Sequence, residues 1–282
     1  MKRWIFNILI IVFLLVFLVS GFFLVRYLLE SKKTADLYTD LASRVEQAQT
    51  EPVATGSTAP TQPGETTAPE ETTEPLSPFV EAYNSDTGEM VTVLREYAEV
   101  YEMNPHMVGW IKIEGTPVNY PVVQTPNYTN YYLYRDFNRD DNSHGCIYAR
   151  EQCDINKPSD NITIYGHWMR DGSMFGSLQN YKNKSYFLEH PYIIFDTLTE
   201  HHTYEIIAVF RTTASEGEGF YYHQFVDAAT EKQFNDFIDT VMSMAEYPTG
   251  NTAVYGDKLI SLSTCEYSQT NGRLVIVAKR IS

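Results

Sequence analysis

A run of 22 residues without a formal charge, Trp4 to Val25 (WIFNILIIVFLLVFLVSGFFLV), constrains this chain more than any other feature. At about 1.5 Å of rise per residue it matches a hydrocarbon core of about 30 Å, so it reads as a membrane helix. A cleaved signal peptide carries an apolar stretch of only about 7–15 residues. Residues 1–30 are therefore read as a retained anchor rather than a leader cut near Ser20-Gly21. Lys2 and Arg3 precede the run, and Arg26, Lys32 and Lys33 follow it, partly offset by Glu30. The positive-inside rule alone therefore does not orient it.

The composition then changes. Residues 31–78 are read as a disordered stalk, most clearly from Thr50 to Pro78 (TEPVATGSTAPTQPGETTAPEETTEPLSP), which lacks Lys, Arg and aromatic residues. A stretch of recurring Thr, Pro and Glu cannot bury enough apolar surface to offset its ordering entropy. Such a stalk after one span holds a domain away from a cell surface. The expectation is a single-pass protein of the cell membrane with residues 79–282 folded outside. The formal charge of −15 argues against nucleic acid as a partner, because phosphate binding needs a basic face. An odd number of cysteines (Cys146, Cys153 and Cys265) leaves at least one thiol unpaired or reactive outside the cell.

The folded part opens with MVTVLREYAEVYEMNP, where Val93, Tyr97, Val100 and Tyr101 fall at helical spacing before Pro105. Eight β-rich runs of strand length follow: GWIKIEG, NYPVVQ, GCIYAR, NITIYG, YIIFD, TYEIIAVFRTT, KLISLS and RLVIVAKR. A second helix is expected from Asp227 to Met244, with Phe234, Phe237, Ile238 and Val241 on one stripe. Short strands with few helices predict a mainly β fold, a closed or nearly closed barrel without exposed edges.

One hairpin carries the chemistry. In LISLSTCEYSQTNGRLVIVAKR, Ser261, Ser263 and Cys265 share one face of the first run, and Arg273 opens the second. Antiparallel pairing puts Cys265 and Arg273 opposite or nearly so, with Cβ atoms about 5 Å apart. A cation there favours the thiolate and can hold a developing oxyanion. The alternative is a buried cysteine packing as a small hydrophobe. Of seven histidines, His167 stands out because a Gly-His turn ends the NITIYG run, and catalytic groups are often placed at such loops.

Together YGHWMRDGSMFGSLQNY, LSTCEYSQTNGRLVIVAKR and NPHMVGWIKIEGTPVNYPVVQ resemble the sortases, specifically class B, over the whole folded domain from about residue 90. The Thr-Leu-Ser-Thr-Cys type motif stands here as Ser261 to Cys265, with Ser261 where the family usually has Thr. The resemblance implies a closed eight-stranded sortase-type barrel with an N-terminal helix and an extra helix before the cysteine strand. It makes Cys265 the nucleophile, His167 the general acid/base and Arg273 the group that binds substrate backbone and meets the oxyanion. Ser263 and Leu133 would line the sorting-signal groove, and the Glu266 backbone N–H is an expected oxyanion donor. The implied reaction is transpeptidation through a thioester, requiring neither metal nor organic cofactor. Implied partners are secreted proteins with a C-terminal sorting signal, and an amine of the peptidoglycan cross-bridge or its lipid-linked precursor. A pilin lysine as acceptor is the alternative within the family, disfavoured by the lack of a long acidic-aromatic lid.

Other readings compete. Ser143-His144-Gly145-Cys146 resembles the signature of L,D-transpeptidases, although the nearest upstream histidine is His106. His144, Cys146 and Cys153 suit zinc by ligand type but lack a fourth ligand. Cys146 and Cys153 could instead form a disulfide, leaving Cys265 as the odd thiol. A non-enzymatic anchored barrel would use its aromatic stretches, NYTNYYLY and GFYYHQF, as a peptide or glycan groove.

Overall fold

The structure, a computed structural model, describes residues 2–50, 77–125, 127–215 and 217–282, without the side chains of Lys2 and Ile5. Its first element is one unbroken helix, α1 (Lys2–Thr50). Strands β1 (Phe79–Asn84) and β2 (Glu89–Leu94) form a separate hairpin. A turn of 3-10 helix then leads into the short helix α2 (Ala98–Met103). The next strands are β3 (Met107–Lys112), β4 (Asn119–Val123), β5 (Ile147–Ala149) and β6 (Asn161–Tyr165). Helix α3 (Lys184–Glu189) precedes β7 (Tyr192–Thr197) and β8 (Thr203–Thr213). Helix α4 (Glu231–Met244) precedes β9 (Leu259–Cys265) and β10 (Gly272–Arg280).

The eight strands expected from the sequence close into a barrel in the order β10-β8-β7-β3-β4-β5-β6-β9. Closure pairs each barrel strand on both sides, so the barrel itself has no free edge. Alternation along β9 and β10 sorts side chains between two cores. Ile260, Leu262, Leu274 and Ile276 pack in the larger core. Leu259, Val275 and Val277 turn to the other side and meet α4.

Helix α4 starts at Thr230, whose side chain accepts from the Gln233 N–H, a bond worth about 1 kcal/mol. Its stripe of Phe234, Phe237, Ile238 and Val241 is buried on the sheet, at about 1.5–3 kcal/mol per side chain. The segment before α4 is thereby fixed, and it forms one wall of the site described below.

Two expectations fail. The helix expected to begin near Met90 starts later, because Met90–Leu94 is strand, with Val93 opposite Val80. The β1 edge supplies hydrogen bonds that a helix would have to make within itself, so the tertiary partner overrides local spacing. Tyr97, Val100 and Tyr101 are buried from the helical part that follows.

The stalk boundary at residue 31 is also wrong. Residues 31–50 continue α1 and dock on the barrel through Thr34, Tyr38, Leu41 and Val45, all buried. Those positions recur at i, i+4, i+7 and i+11, one stripe of a helix. The Tyr38 hydroxyl donates to the Gly145 carbonyl at 3.1 Å, and its ring packs edge-on against Tyr120. The rest of the stalk expectation, residues 51–76, lies outside the described residues.

Candidate active site

Three strand ends converge on one cavity. β6 and β9 run parallel with Tyr165 beside Ser263, and the Gly166 N–H donates to the Ser263 carbonyl at 3.1 Å. Extending that register two residues along each chain sets His167 beside Cys265. On the other side of β9, antiparallel β10 places Arg273 directly opposite Cys265. Register alone thus gathers a thiol, an imidazole and a guanidinium from stretches far apart in sequence. Gly166 has a packing reason to precede the histidine, because a Cβ there would lie 2.5 Å from Ile147 and 2.7 Å from Phe175.

The cavity has a volume of about 260 Å³ and is lined by Cys265, His167 and Arg273 together with Leu133, Ser263 and Thr264. Cys265 is partly exposed, whereas Cys146 and Cys153 are buried. That exposure removes the reading of Cys265 as a packed core thiol. His167 Nε2 lies 2.6 Å from the Leu133 carbonyl, and a carbonyl only accepts, so Nε2 carries the proton and Nδ1 is the nitrogen left for other groups. The Tyr134 ring packs on the imidazole at 5.5 Å between centroids. Gln179 donates to the Cys265 carbonyl at 3.0 Å, bracing the nucleophile's backbone. Arg273 Nη1 donates to the Gly272 carbonyl at 2.9 Å, which holds the guanidinium at the cavity rim.

Ser263 lines the cavity, but its hydroxyl is already paired with the buried Tyr222 hydroxyl. It therefore holds Tyr222 in the wall. The two aromatic stretches singled out in the sequence both reach this cavity: Asn130 and Leu133 from the first, Phe220, Tyr221, Tyr222 and His223 from the second. Tyr148 and Tyr165 also line it. Sequence spacing placed none of these beside Cys265: β5 and β6 carry Tyr148 and Tyr165 there, and the docking of the segment before α4 brings Phe220 to His223. Burial, reinforced by Arg150 and Arg273, holds the His223 imidazole below its usual range, so it stays neutral near pH 7.

Glu266 departs from expectation. Its N–H donates to the Gly272 carbonyl at 2.9 Å and so continues the hairpin ladder. The amide is not free to hold an oxyanion, and its side chain points into a different cluster. The buried carboxylate takes the Lys182 ammonium at 2.6 Å and the Ser268 amide at 2.9 Å. Burial alone would raise its pKa, but Lys182 and Ser268 outweigh that and hold it below the usual carboxylate range. A carboxylate whose folded pKa is depressed stabilises fully above the unfolded value of about 4.3, and that contribution is lost as pH falls through the folded pKa. Wild type should therefore lose its stability advantage over Glu266→Gln in acid. Calorimetry should find wild type more stable than Glu266→Gln by about 1–3 kcal/mol at pH 7, and the gap should close as pH falls from the unfolded value of about 4.3 through the lower folded pKa.

The competing sites fare differently. Cys146 is buried, with its thiol 3.2 Å from the Tyr38 hydroxyl of α1. Burial pushes that thiol's pKa far up, away from the thiolate a nucleophile needs. Cys153 bonds instead to the Asn161 carbonyl. The two thiols are free and not joined as a disulfide, which sets that alternative aside. His144 sits under Tyr27, ring on ring, rather than beside a thiolate.

A barrel of this topology with cysteine, histidine and arginine at its open end defines a class, and sequence comparison agrees. The Sortase domain family matches residues 111–281, so the chain belongs to the sortases, a family of cysteine transpeptidases. Its relatives place it in class B. Sortase B of Listeria monocytogenes serovar 1/2a (strain ATCC BAA-679 / EGD-e) is 33% identical over 191 residues, covering 66% of this chain and 74% of that protein. Sortase B of Staphylococcus aureus (strain NCTC 8325 / PS 47) is 30% identical over 189 residues, covering 66% and 75%. The crystal structure of sortase B from B. anthracis in complex with AAEK2 superposes with a TM-score of 0.66 at 25% identity, covering 89% of this chain and 97% of that one.

Proposed function

We propose that this sortase is anchored by residues 4–25 with its catalytic domain outside the cell, and that it cleaves a C-terminal sorting signal of secreted proteins at a Thr carbonyl. The convergence of Cys265, His167 and Arg273 on one open cavity carries this reading. Cys265 passes its thiol proton to His167 Nδ1, the resulting thiolate attacks the carbonyl carbon, and the electron pair moves to oxygen, where Arg273 meets the charge. As the carbon–nitrogen bond breaks, His167 gives a proton to the departing amine through Nδ1 and a thioester remains on Cys265. An amine of the peptidoglycan cross-bridge or its lipid-linked precursor then attacks the thioester. Its proton passes to His167 and the thiolate leaves.

The anchor reading is supported by α1, which is long and apolar enough to cross a membrane, with the side chains of that stretch exposed. The test is intact mass of the enzyme with peptides carrying candidate Thr-containing signals. The expected adduct is the acyl fragment on Cys265, released by hydroxylamine or by an amine acceptor. An adduct on any other residue would overturn the assignment. Arg273→Ala should lower kcat/KM by about 10²–10³-fold, the usual loss for an oxyanion donor, and Arg273→Lys should recover part of it. Steady-state rates on one peptide decide this, and an unimpaired Arg273→Ala would remove Arg273 from the mechanism.

A further inference from the structure

The rim of the cavity sits against the end of the apolar helix. Tyr27 lies two residues past Val25, about 3 Å along the helix axis. It borders an open hollow together with Trp168, Met169, Arg170 and Tyr267. Trp168 follows the histidine and Tyr267 is two residues past the cysteine, and their rings pack in a tilted contact, 4.9 Å between centroids. Tyr267 is 71% exposed, and among the described residues Arg170 enters no ion pair.

This surface is tied to α1 rather than tethered by a linker. Glu30 accepts from the Ser143 N–H, and Ser31 donates to Asp171 at 3.0 Å, in the turn that carries Trp168. Both acids are thereby occupied: burial would raise each pKa, but hydrogen bonds, chiefly from Ser143 to Glu30 and from Ser173 to Asp171, hold both below the usual range. Because α1 continues without a break from the apolar run into its docked half, the barrel cannot move away from the plane in which that run ends.

We propose that Tyr27, Trp168, Arg170 and Tyr267 form a membrane-contact surface that lies in the phospholipid headgroup layer, so that the active-site rim rests on the bilayer. The proposal rests on the reading of residues 4–25 as a membrane anchor. Tryptophan and tyrosine favour this layer because one part of each ring system is apolar and another donates a hydrogen bond. A guanidinium matches a lipid phosphate in a bidentate way. The occupant is the lipid surface because this patch is continuous with the helix that enters it.

The test uses the full chain in phosphatidylcholine–phosphatidylglycerol vesicles whose acyl chains are brominated near the headgroup end or near the tail. In Trp4→Phe/Trp110→Phe, Trp168 is the only tryptophan. In Trp110→Phe/Trp168→Phe, only Trp4 in the apolar run remains. Trp168 should lose most of its fluorescence to the shallow bromines and little to the deep ones. Trp168 unquenched at both depths while Trp4 is quenched would overturn the membrane contact and leave the anchor standing. Trp4 unquenched as well would overturn the anchor and the proposal with it. Should Trp110→Phe fail to fold, the same difference is read between wild type and Trp168→Phe with Trp110 retained.

Discussion

Cys265→Ala should abolish acyl-enzyme formation and lower kcat/KM by at least about 10⁴-fold, since no other group replaces a covalent nucleophile. Cys146→Ala should stay within a few fold of wild type. The contrast follows from environment. Cys265 opens on a cavity shared with His167 and faces Arg273 across the hairpin, whereas Cys146 is buried beneath Tyr38. Intact mass after incubation with an electrophilic peptidyl probe distinguishes them directly. Label retained in Cys265→Ala and lost in Cys146→Ala would move the chemistry to the other cysteine. For Cys146→Ala the expected penalty is stability, about 1–2 kcal/mol for a small core truncation.

A chain cut to residues 79–282 should be much less stable than one that begins at residue 31. The cut removes Tyr38, Leu41 and Val45 from the core, each worth about 1.5–3 kcal/mol of burial, partly offset by the entropy of ordering the helix. The single substitution Leu41→Ala isolates the effect and should cost about 2–5 kcal/mol, because Leu41 is fully buried. Urea midpoints of the three chains provide the measurement. Removing Tyr38 also uncovers Cys146, so that thiol should react with a maleimide faster in the shorter chain. Equal midpoints and equal thiol reactivity would mean that α1 contributes nothing to the fold.

These two results bear on how anchor and enzyme are connected. The Thr/Pro/Glu segment follows a helix that has already docked on the barrel, so in sequence it joins α1 to β1. The docked half of α1 continues the apolar run without a break, and composition gave no hint of this. Residues 31–50 contain enough charge to look solvated, and their stripe of Thr34, Tyr38, Leu41 and Val45 is a weak signal beside the apolar run before it and the low-complexity run after it. The helix placed over Met90–Leu94 failed for a related reason. A short β-branched stretch has no fixed structure until β1 offers an edge to pair with.

The barrel strands were legible because each is a short apolar run bounded by turn residues, and the α4 stripe because its period is unambiguous. The pairing of Cys265 with Arg273 followed from the alternation of one hairpin, a local relation that needs no tertiary information. His167 was named from its turn and from family resemblance, but its place beside Cys265 depends on the parallel β6–β9 register, which links residues almost 100 positions apart. Glu266 looked like an oxyanion donor because it follows the cysteine. Only the hairpin geometry shows its amide already bonded to Gly272. The sequence by itself determined the barrel strands, the α4 stripe and the Cys265–Arg273 hairpin, because each depends on periodicity over a few residues. The tertiary structure alone decided which cysteine is accessible, which aromatic residues wall the cavity and where residues 31–50 dock, because those follow from long-range packing.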